Sequence, residues 1–240
     1  ATVEQGQWPR PRGRTAAGAG AFYTVPDNKR LALDTSKNIV IHFFVERAVL
    51  ALVLLDPTVS PLTVGEVRSR YLHLVEIFRH EFRLAHGDEA EQSVERLLAE
   101  LVELGLLERQ GDDRLGIGPG SSGATASQWL TMLAGVLVNY LEGYRITARS
   151  LSVLLEGPLS EKEFLRRALA TGNRMFFSGE VSCREAVSKP ILGNALLLFA
   201  DRGVVELHDQ QFSLSEGQRQ QSRVDALEAE FVGLLHGVRS

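Results

Sequence analysis

One cysteine, two methionines and two tryptophans are all that the 240-residue chain holds of those types. The lone Cys183 excludes an intrachain disulfide and points to a reducing compartment. A basic excess is also missing. Lysines and arginines number 26 against 30 aspartates and glutamates, a formal charge of −4, whereas broad nucleic-acid surfaces carry a clear positive surplus. No signal-peptide pattern opens the chain. Nor is there a long apolar run free of charge. The most apolar stretch, "LALDTSKNIVIHFFVERAVLALVLL" (31–55), carries Glu46 and Arg47 near its centre. The 17 residues from Ile39 to Leu55 sit at the lower limit for a membrane span. Charges of that kind at a bilayer centre cost about 2.5–3.5 kcal/mol each, which offsets much of the apolar gain. A buried amphipathic helix with both charges leaving on one side is the expectation.

Apolar content of 44% and charged content of 23% place the chain among globular proteins rather than disordered or fibrous ones. Its length accommodates one large domain or two small ones. "GQWPRPRGRTAAGAGA" near the start is rich in proline, glycine and arginine and reads as a linker or cut end over residues 1–20. That stretch and a first residue other than methionine suggest a piece of a longer protein. A helical unit with a first module is expected over 21–126. A long central helix and a second module are expected over 127–240.

Helix starts are marked in the sequence. Thr63 with Glu66, Ser160 with Glu163 and Ser182 with Glu185 have capping-box spacing, and Asp88 with Glu91 resembles a weaker cap. These signals predict helices over 36–55, 64–84, 89–104, 128–155, 161–178, 183–187, 190–202 and 222–236. Gly105 and Gly203 stand where helix ends favour a left-handed residue, and Pro190 suits a first turn. Two stretches share one order. "LLAELVELGLLERQGDDRLGI" (97–117) and "ALLLFADRGVVELHDQQFSL" (195–214) each read as helix, glycine, short strand, polar turn, short strand. The expected fold is mainly α with short β-hairpins: multi-helical, with two winged-helix-like units packed together.

A winged helix first suggests DNA. The groove-facing helix of the first unit would be 89–104, which carries Glu89, Glu91, Glu95, Glu100 and Glu103 against Arg96 alone. Such a helix meets phosphates with the wrong sign. No nucleic-acid partner is expected. In "GIGPGSSGAT" (116–125), Gly118 and Gly123 have phosphate-loop spacing, but Ala124 occupies the lysine position, so a connector is expected. His73, Glu76 and His80 share one side of the 64–84 helix opposite the stripe Val67, Tyr71, Leu74, Phe78 and Phe82. Without an i,i+4 histidine pair they read as a solvated face and not as a metal site. Cys183 has no base near in sequence and reads as structural. Trp129, Leu133, Val136, Leu137, Tyr140, Leu141, Tyr144, Ala148, Leu151 and Leu155 form a packing stripe in which both tyrosines are core or interface residues. No catalytic residue, metal ligand or cofactor-binding residue is assigned, and no cofactor is expected.

Several stretches resemble one family in one order. "RLALDTSKNIVIHFFVERAVLALVLL" is similar to a Leu-Asp-Tyr-Tyr-Lys-Asn-Asn pattern followed by Ile-His-Phe-Phe and an apolar helix. Leu33, Asp34, Lys37, Asn38, Ile41, His42, Phe43 and Phe44 match it, while Thr35, Ser36 and Ile39 depart. "LVNYLEGYRITARSL" resembles a Pro-Tyr-Leu-Glu-Ser-Tyr helix through Tyr140, Leu141, Glu142 and Tyr144, with Asn139 replacing the proline. "GEVSCREAVSKPILGNALLLFADRGVVEL" resembles a closing Glu-Ser-Leu-Ser-Lys-x-x-x-Asn-Ala helix pair through Glu185, Ser188, Lys189, Asn194, Ala195 and Gly203. The family is the membrane-associated glycerol-3-phosphate acyltransferases, in their C-terminal region. The resemblance implies acyl transfer from acyl-CoA or acyl carrier protein to glycerol 3-phosphate in phospholipid synthesis, with a His-x-x-x-x-Asp base. This sequence departs there: five residues after His42, His73, His80, His86 and His208 stand Arg47, Phe78, Ala85, Glu91 and Ser213. The resemblance therefore implies a non-catalytic scaffold for an acyltransferase domain of the same full-length protein. It also implies peripheral association with the cytoplasmic side of a membrane, and Glu46 and Arg47 would face solvent or pair at the junction. The rival expectations are a stand-alone winged-helix-like interaction module and, behind it, a DNA-binding regulator.

Overall fold

Residues 41–56, 62–111, 113–120 and 125–239 are those that the structure, a computed structural model, describes. Among them a 3-10 turn at Ile41–Phe43 leads into helix α1 (Val45–Leu54). Val45 and every residue from Ala48 to Leu54 are buried, as a helix apolar nearly all round must be. No described helix is long and apolar enough to cross a membrane. Residues 36–40 of the expected first helix lie outside the described residues.

Helix α2 (Val64–Ile77) begins on a complete capping box. Glu66 N–H donates to Thr63 Oγ1 at 3.1 Å, and Thr63 N–H donates to Glu66 Oε2 at 2.8 Å. It stops at Ile77 instead of reaching residue 84. The turns that follow carry Phe82 inward, where its ring meets Tyr140 edge-on at 4.9 Å. Helix α3 (Asp88–Glu103) is capped by Gly87 at φ 56, so Asp88 is its first helical residue and not its cap. Gly105, at φ 68, turns the chain into β2 (Leu107–Gln110), which pairs antiparallel with β3 (Arg114–Ile117). A two-residue strand, β1 (Leu62–Thr63), completes the sheet in the order β1-β3-β2.

The single helix expected over 128–155 is interrupted. Helix α4 (Ala126–Gly135) ends before Val136 and Leu137, α5 (Val138–Ser150) follows, and a 3-10 turn at Leu151–Leu155 closes the run. The two helices serve different neighbours: α4 packs on α1, whereas α5 packs on the C-terminal helices. Burying both faces therefore needs a change of phase at the break. Leu130 and Ala134 face inward on α4, and Trp129 of the expected stripe is left 38% exposed.

The second half repeats the first in order. After α5 come β4 (Leu159–Ser160), α6 (Glu161–Phe177), a 3-10 turn at Arg184–Ala186, α7 (Lys189–Asp201), β5 (Val205–His208) and β6 (Gln211–Leu214). The strand order β4-β6-β5 matches that of the first sheet. Asp209 and Gln210 both take positive φ in the two-residue turn, the geometry that suits a right-twisted hairpin. Gly203, at φ 65, ends α7 as Gly105 does after α3. Helix α8 (Gln221–Arg239) then returns along α5. The described protein is mainly α with two short-stranded antiparallel sheets. Its core is one continuous apolar cluster through Leu50, Phe78, Tyr144, Phe199 and Phe231.

Two expected caps are partial or absent. Ser160 Oγ accepts Glu163 N–H at 3.3 Å, but the Glu163 carboxylate turns away to Arg166 and Arg167. Those two guanidinium groups hold its carboxyl down at about 2. Ser182 caps no helix: its hydroxyl is drawn to Glu142, and the turn behind it is 3-10.

Candidate functional site

Glu46 and Arg47 of the apolar run are matched inside the chain. Arg47 Nε and Nη2 each donate to a Glu100 carboxylate oxygen at 2.9 Å, a bidentate pair. Arg96 Nη2 donates to Glu46 Oε2 at 2.9 Å. Two ion pairs of opposite polarity thus tie α1 to α3. Among the acidic residues of α3, Glu100 and Glu95 are held by Arg47 and Arg68, and the helix's own Arg96 is engaged by Glu46.

Of the residues that carried the family resemblance, Tyr140, Leu141, Glu142 and Tyr144 lie on α5, and Leu33, Asp34, Lys37 and Asn38 lie outside the described residues. Glu142 is completely buried. Its Oε1 accepts the Ser182 N–H and Oγ–H, both at 2.8 Å, and its Oε2 accepts the Cys183 N–H at 2.7 Å. A buried carboxylate is tolerable only when it is paired in this way. The Cys183 thiol lies beside it, raised to about 11 by burial and then by the Glu142 charge. A thiol held protonated there is a weak nucleophile.

Two residues along α5, Tyr144 is fully buried, with its ring tilted on Phe78 at 6.1 Å and edge-on to Phe231 at 5.8 Å. Its Oη and Glu81 Oε1 are both buried, and the two side chains lie close enough to influence each other. Burial pushes the Glu81 carboxyl up to about 7, offset in part by the nearby Asn194 and Tyr144 side chains. Glu81 thus joins Tyr144 and Asn194, two positions of the family resemblance.

His73, Glu76 and His80 do not converge. His73 Nε2 lies 3.5 Å from Glu230 on α8, His80 Nε2 lies 2.6 Å from Asp201 Oδ2 on α7, and Glu76 meets Arg79 and His86. His80 stands in the turn beyond α2 and not on its helical face. His73 and His80 reach acidic residues of the second half of the fold, whereas Glu76 stays within the first and is mostly exposed.

Gly118 of the glycine-rich stretch lies within the described residues, while Gly123 and Ala124 lie outside them. Gly118 N–H donates to Leu106 O at 3.0 Å and Gly120 N–H to Gly105 O at 3.2 Å, so these amides already bind carbonyls. A Cβ at Gly118 would collide with the Gly105 carbonyl oxygen, which explains this glycine by close backbone approach. Thr125 and Gln128 then form a complete capping box at the start of α4.

Four charged residues outside the sequence-based expectations form a network at α5. Arg149 donates to both oxygens of Glu228 on α8, at 2.8 and 2.6 Å, and to Glu180 at 2.6 Å. Arg145 donates to Glu228 at 3.0 Å and to the Glu180 carbonyl at 2.8 Å. Arg149 accordingly stays far above the usual guanidinium range, and Arg149 with Ser178 lowers Glu180. The one available signal is Arg145 and Arg149 four residues apart on a helix otherwise meant for burial. Near the far end of α8 a groove of about 570 Å³ opens between α1, α2 and α8.

Residues 5–208 match the sequence family described as glycerol-3-phosphate acyltransferase C-terminal region. No curated protein matches the chain.

Proposed function

The chain belongs to the glycerol-3-phosphate acyltransferase C-terminal region family, and we propose that it braces an acyltransferase domain instead of transferring an acyl group itself. The observation that carries this reading is the fate of Glu142. The carboxylate at the heart of the family resemblance has no exposed surface, and three donors of the Ser182–Cys183 turn occupy it. A general base must reach the proton it removes. Glu142 instead fixes the loop between α6 and α7 onto α5.

The partner in this reading is the acyltransferase domain of the same full-length protein, working in phospholipid synthesis with acyl-CoA or acyl carrier protein as donor. Phe43 is 73% exposed and Phe44 46% exposed at the entry to α1. Exposed aromatic pairs are favoured anchors in protein interfaces, and we place the contact with the catalytic domain there. The two repeated units serve as winged-helix-like packing modules, consistent with the two ion pairs that tie α3 to α1. Any membrane association is peripheral, on the cytoplasmic side.

Mixing this chain with a His-x-x-x-x-Asp acyltransferase domain of the same family tests the reading. Complex formation that raises the domain's Tm and is weakened by Phe43→Ala with Phe44→Ala is expected. Absence of any complex, with both proteins folded, overturns it.

A further inference from the structure

We propose that the turn between α2 and α3 is a proton-operated latch. A proton on Glu81 keeps the turn shut on α5 and α7, and its loss frees residues 78–84 while the rest of the core holds.

Side chains, not a backbone ladder, fasten this segment. Residues 78–87 belong to neither helix nor strand. The Glu81 and Phe82 amides donate back to Phe78 O at 2.9 and 3.0 Å, and among the described residues no backbone amide of 83–86 donates to a backbone carbonyl. Phe82 sits edge-on to Tyr140 at 4.9 Å and to His42 at 6.1 Å. His80 Nε2 lies 2.6 Å from Asp201 Oδ2, and Arg79 Nε lies 3.6 Å from the same oxygen. Glu81 points inward beside Tyr144 of α5 and Asn194 of α7. Release therefore breaks a handful of side-chain contacts and leaves the flanking helices intact.

Glu81 is the odd carboxylate of this core. Glu142 is met by three donors of the Ser182–Cys183 turn, Glu228 by Arg145 and Arg149, and Glu230 by Arg202 and His73. The side chains that act on the Glu81 carboxyl are Asn194 and Tyr144, neither of them a cation. Cations of the adjoining elements are engaged elsewhere: Arg79 with Glu76 and Asp201, Arg202 with both Glu230 oxygens, His80 with Asp201. Arg202 does act on the Tyr144 hydroxyl, as does Tyr140. A neutral carboxyl both donates and accepts in such a place, whereas a carboxylate there is buried without countercharge. Burial accordingly raises Glu81 to about 7. Opening returns the group to water and releases its proton, so rising pH favours the open turn. Phe82 leaves with it, and His42, beside the exposed Phe43, loses its ring contact. The latch needs no second domain and is independent of the bracing role.

Hydrogen exchange of the whole chain at pH 5.5 and pH 8, corrected for intrinsic rates, tests it. The opening constant of the Glu81 and Phe82 amides should rise about tenfold or more, and both should exchange faster than the amides of α5 throughout. Glu81→Gln keeps the neutral shape and should hold the constant at its pH 5.5 value. An NMR titration of the Glu81 carboxyl carbon in the native chain needs no variant, and its midpoint should lie well above the ordinary 4.5. An ordinary midpoint overturns the proposal, as do equal opening constants at the two pH values. Turn amides that exchange at the same rate as those of α5 also overturn it, because release is then global unfolding. If the pH dependence survives Glu81→Gln and vanishes in His80→Gln, the His80–Asp201 pair is the sensor and the proposal fails.

Discussion

Glu142 and Cys183 lie 41 residues apart in sequence, yet the Cys183 N–H donates to Glu142 Oε2 at 2.7 Å in the protein core. With the two Ser182 donors on Oε1, this contact pins the loop before α7 to the central helix. Hydrogen bonds to a charged group contribute about 1.5–3 kcal/mol each. Glu142→Gln places an amide NH₂ against a backbone N–H and should cost about 3 kcal/mol, with Glu142→Ala costing more. Urea denaturation measures both, and an unchanged midpoint for Glu142→Gln would contradict the assignment.

Glu81 gives a pH dependence of determinate sign. Its carboxyl is raised by burial from an ordinary 4.5 to about 7. Below pH 4.5 it is neutral in both folded and unfolded chains and carries no penalty. As pH rises toward 7 the unfolded chain ionises first, so stability falls across this window and is level above it. At about 1.4 kcal/mol per pH unit the fall is on the order of 3 kcal/mol. Glu180 and Glu230 are lowered and work in the opposite direction, losing stability as pH falls. Subtracting Glu81→Gln from the native profile isolates Glu81: the variant should be more stable at pH 8 and nearly equal at pH 4. Parallel profiles would exclude a raised Glu81.

The two ion pairs between α1 and α3 should differ in strength. Arg47 and Glu100 are bidentate and each about one-third exposed, whereas Arg96 is 58% exposed opposite Glu46. A double-mutant cycle on Arg47→Gln and Glu100→Gln should give a coupling of about 1 kcal/mol, and the Glu46–Arg96 cycle a few tenths. Both couplings should shrink in high salt, the second more.

Gly118→Ala should destabilise the first sheet, because the new methyl meets the Gly105 carbonyl oxygen. A loss of about 1–3 kcal/mol is expected, with faster amide exchange at the Gly118 and Gly120 N–H groups. Native stability in this variant would mean that the loop does not sit on the Gly105 turn.

Legibility in the sequence followed the range of the interactions. Thr63 with Glu66, the glycines at 105 and 203, and both hairpin turns act within a few residues, and each appears where its local pattern places it. The interruption at Val136 and Leu137 does not, because apolar residues continue through it at helical spacing. Only Gly135 hints at it, and the requirement comes from α4 and α5 facing different neighbours. Ser182 carried a cap signature, but a buried carboxylate 40 residues upstream claimed its hydroxyl. His80 with Asp201 and Arg145 with Glu228 join residues 121 and 83 positions apart, with no periodic trace of either pairing. The resemblance singled out Tyr144 and Asn194; their convergence with Glu81 is visible only in the fold.

The most direct test is acylation of radiolabelled glycerol 3-phosphate by the purified 240-residue chain supplied with long-chain acyl-CoA. A bracing, non-catalytic role predicts incorporation no greater than in the protein-free control at any pH between 6 and 9. Sustained turnover that disappears in His80→Gln or Asp201→Asn, while the fold survives, would contradict it.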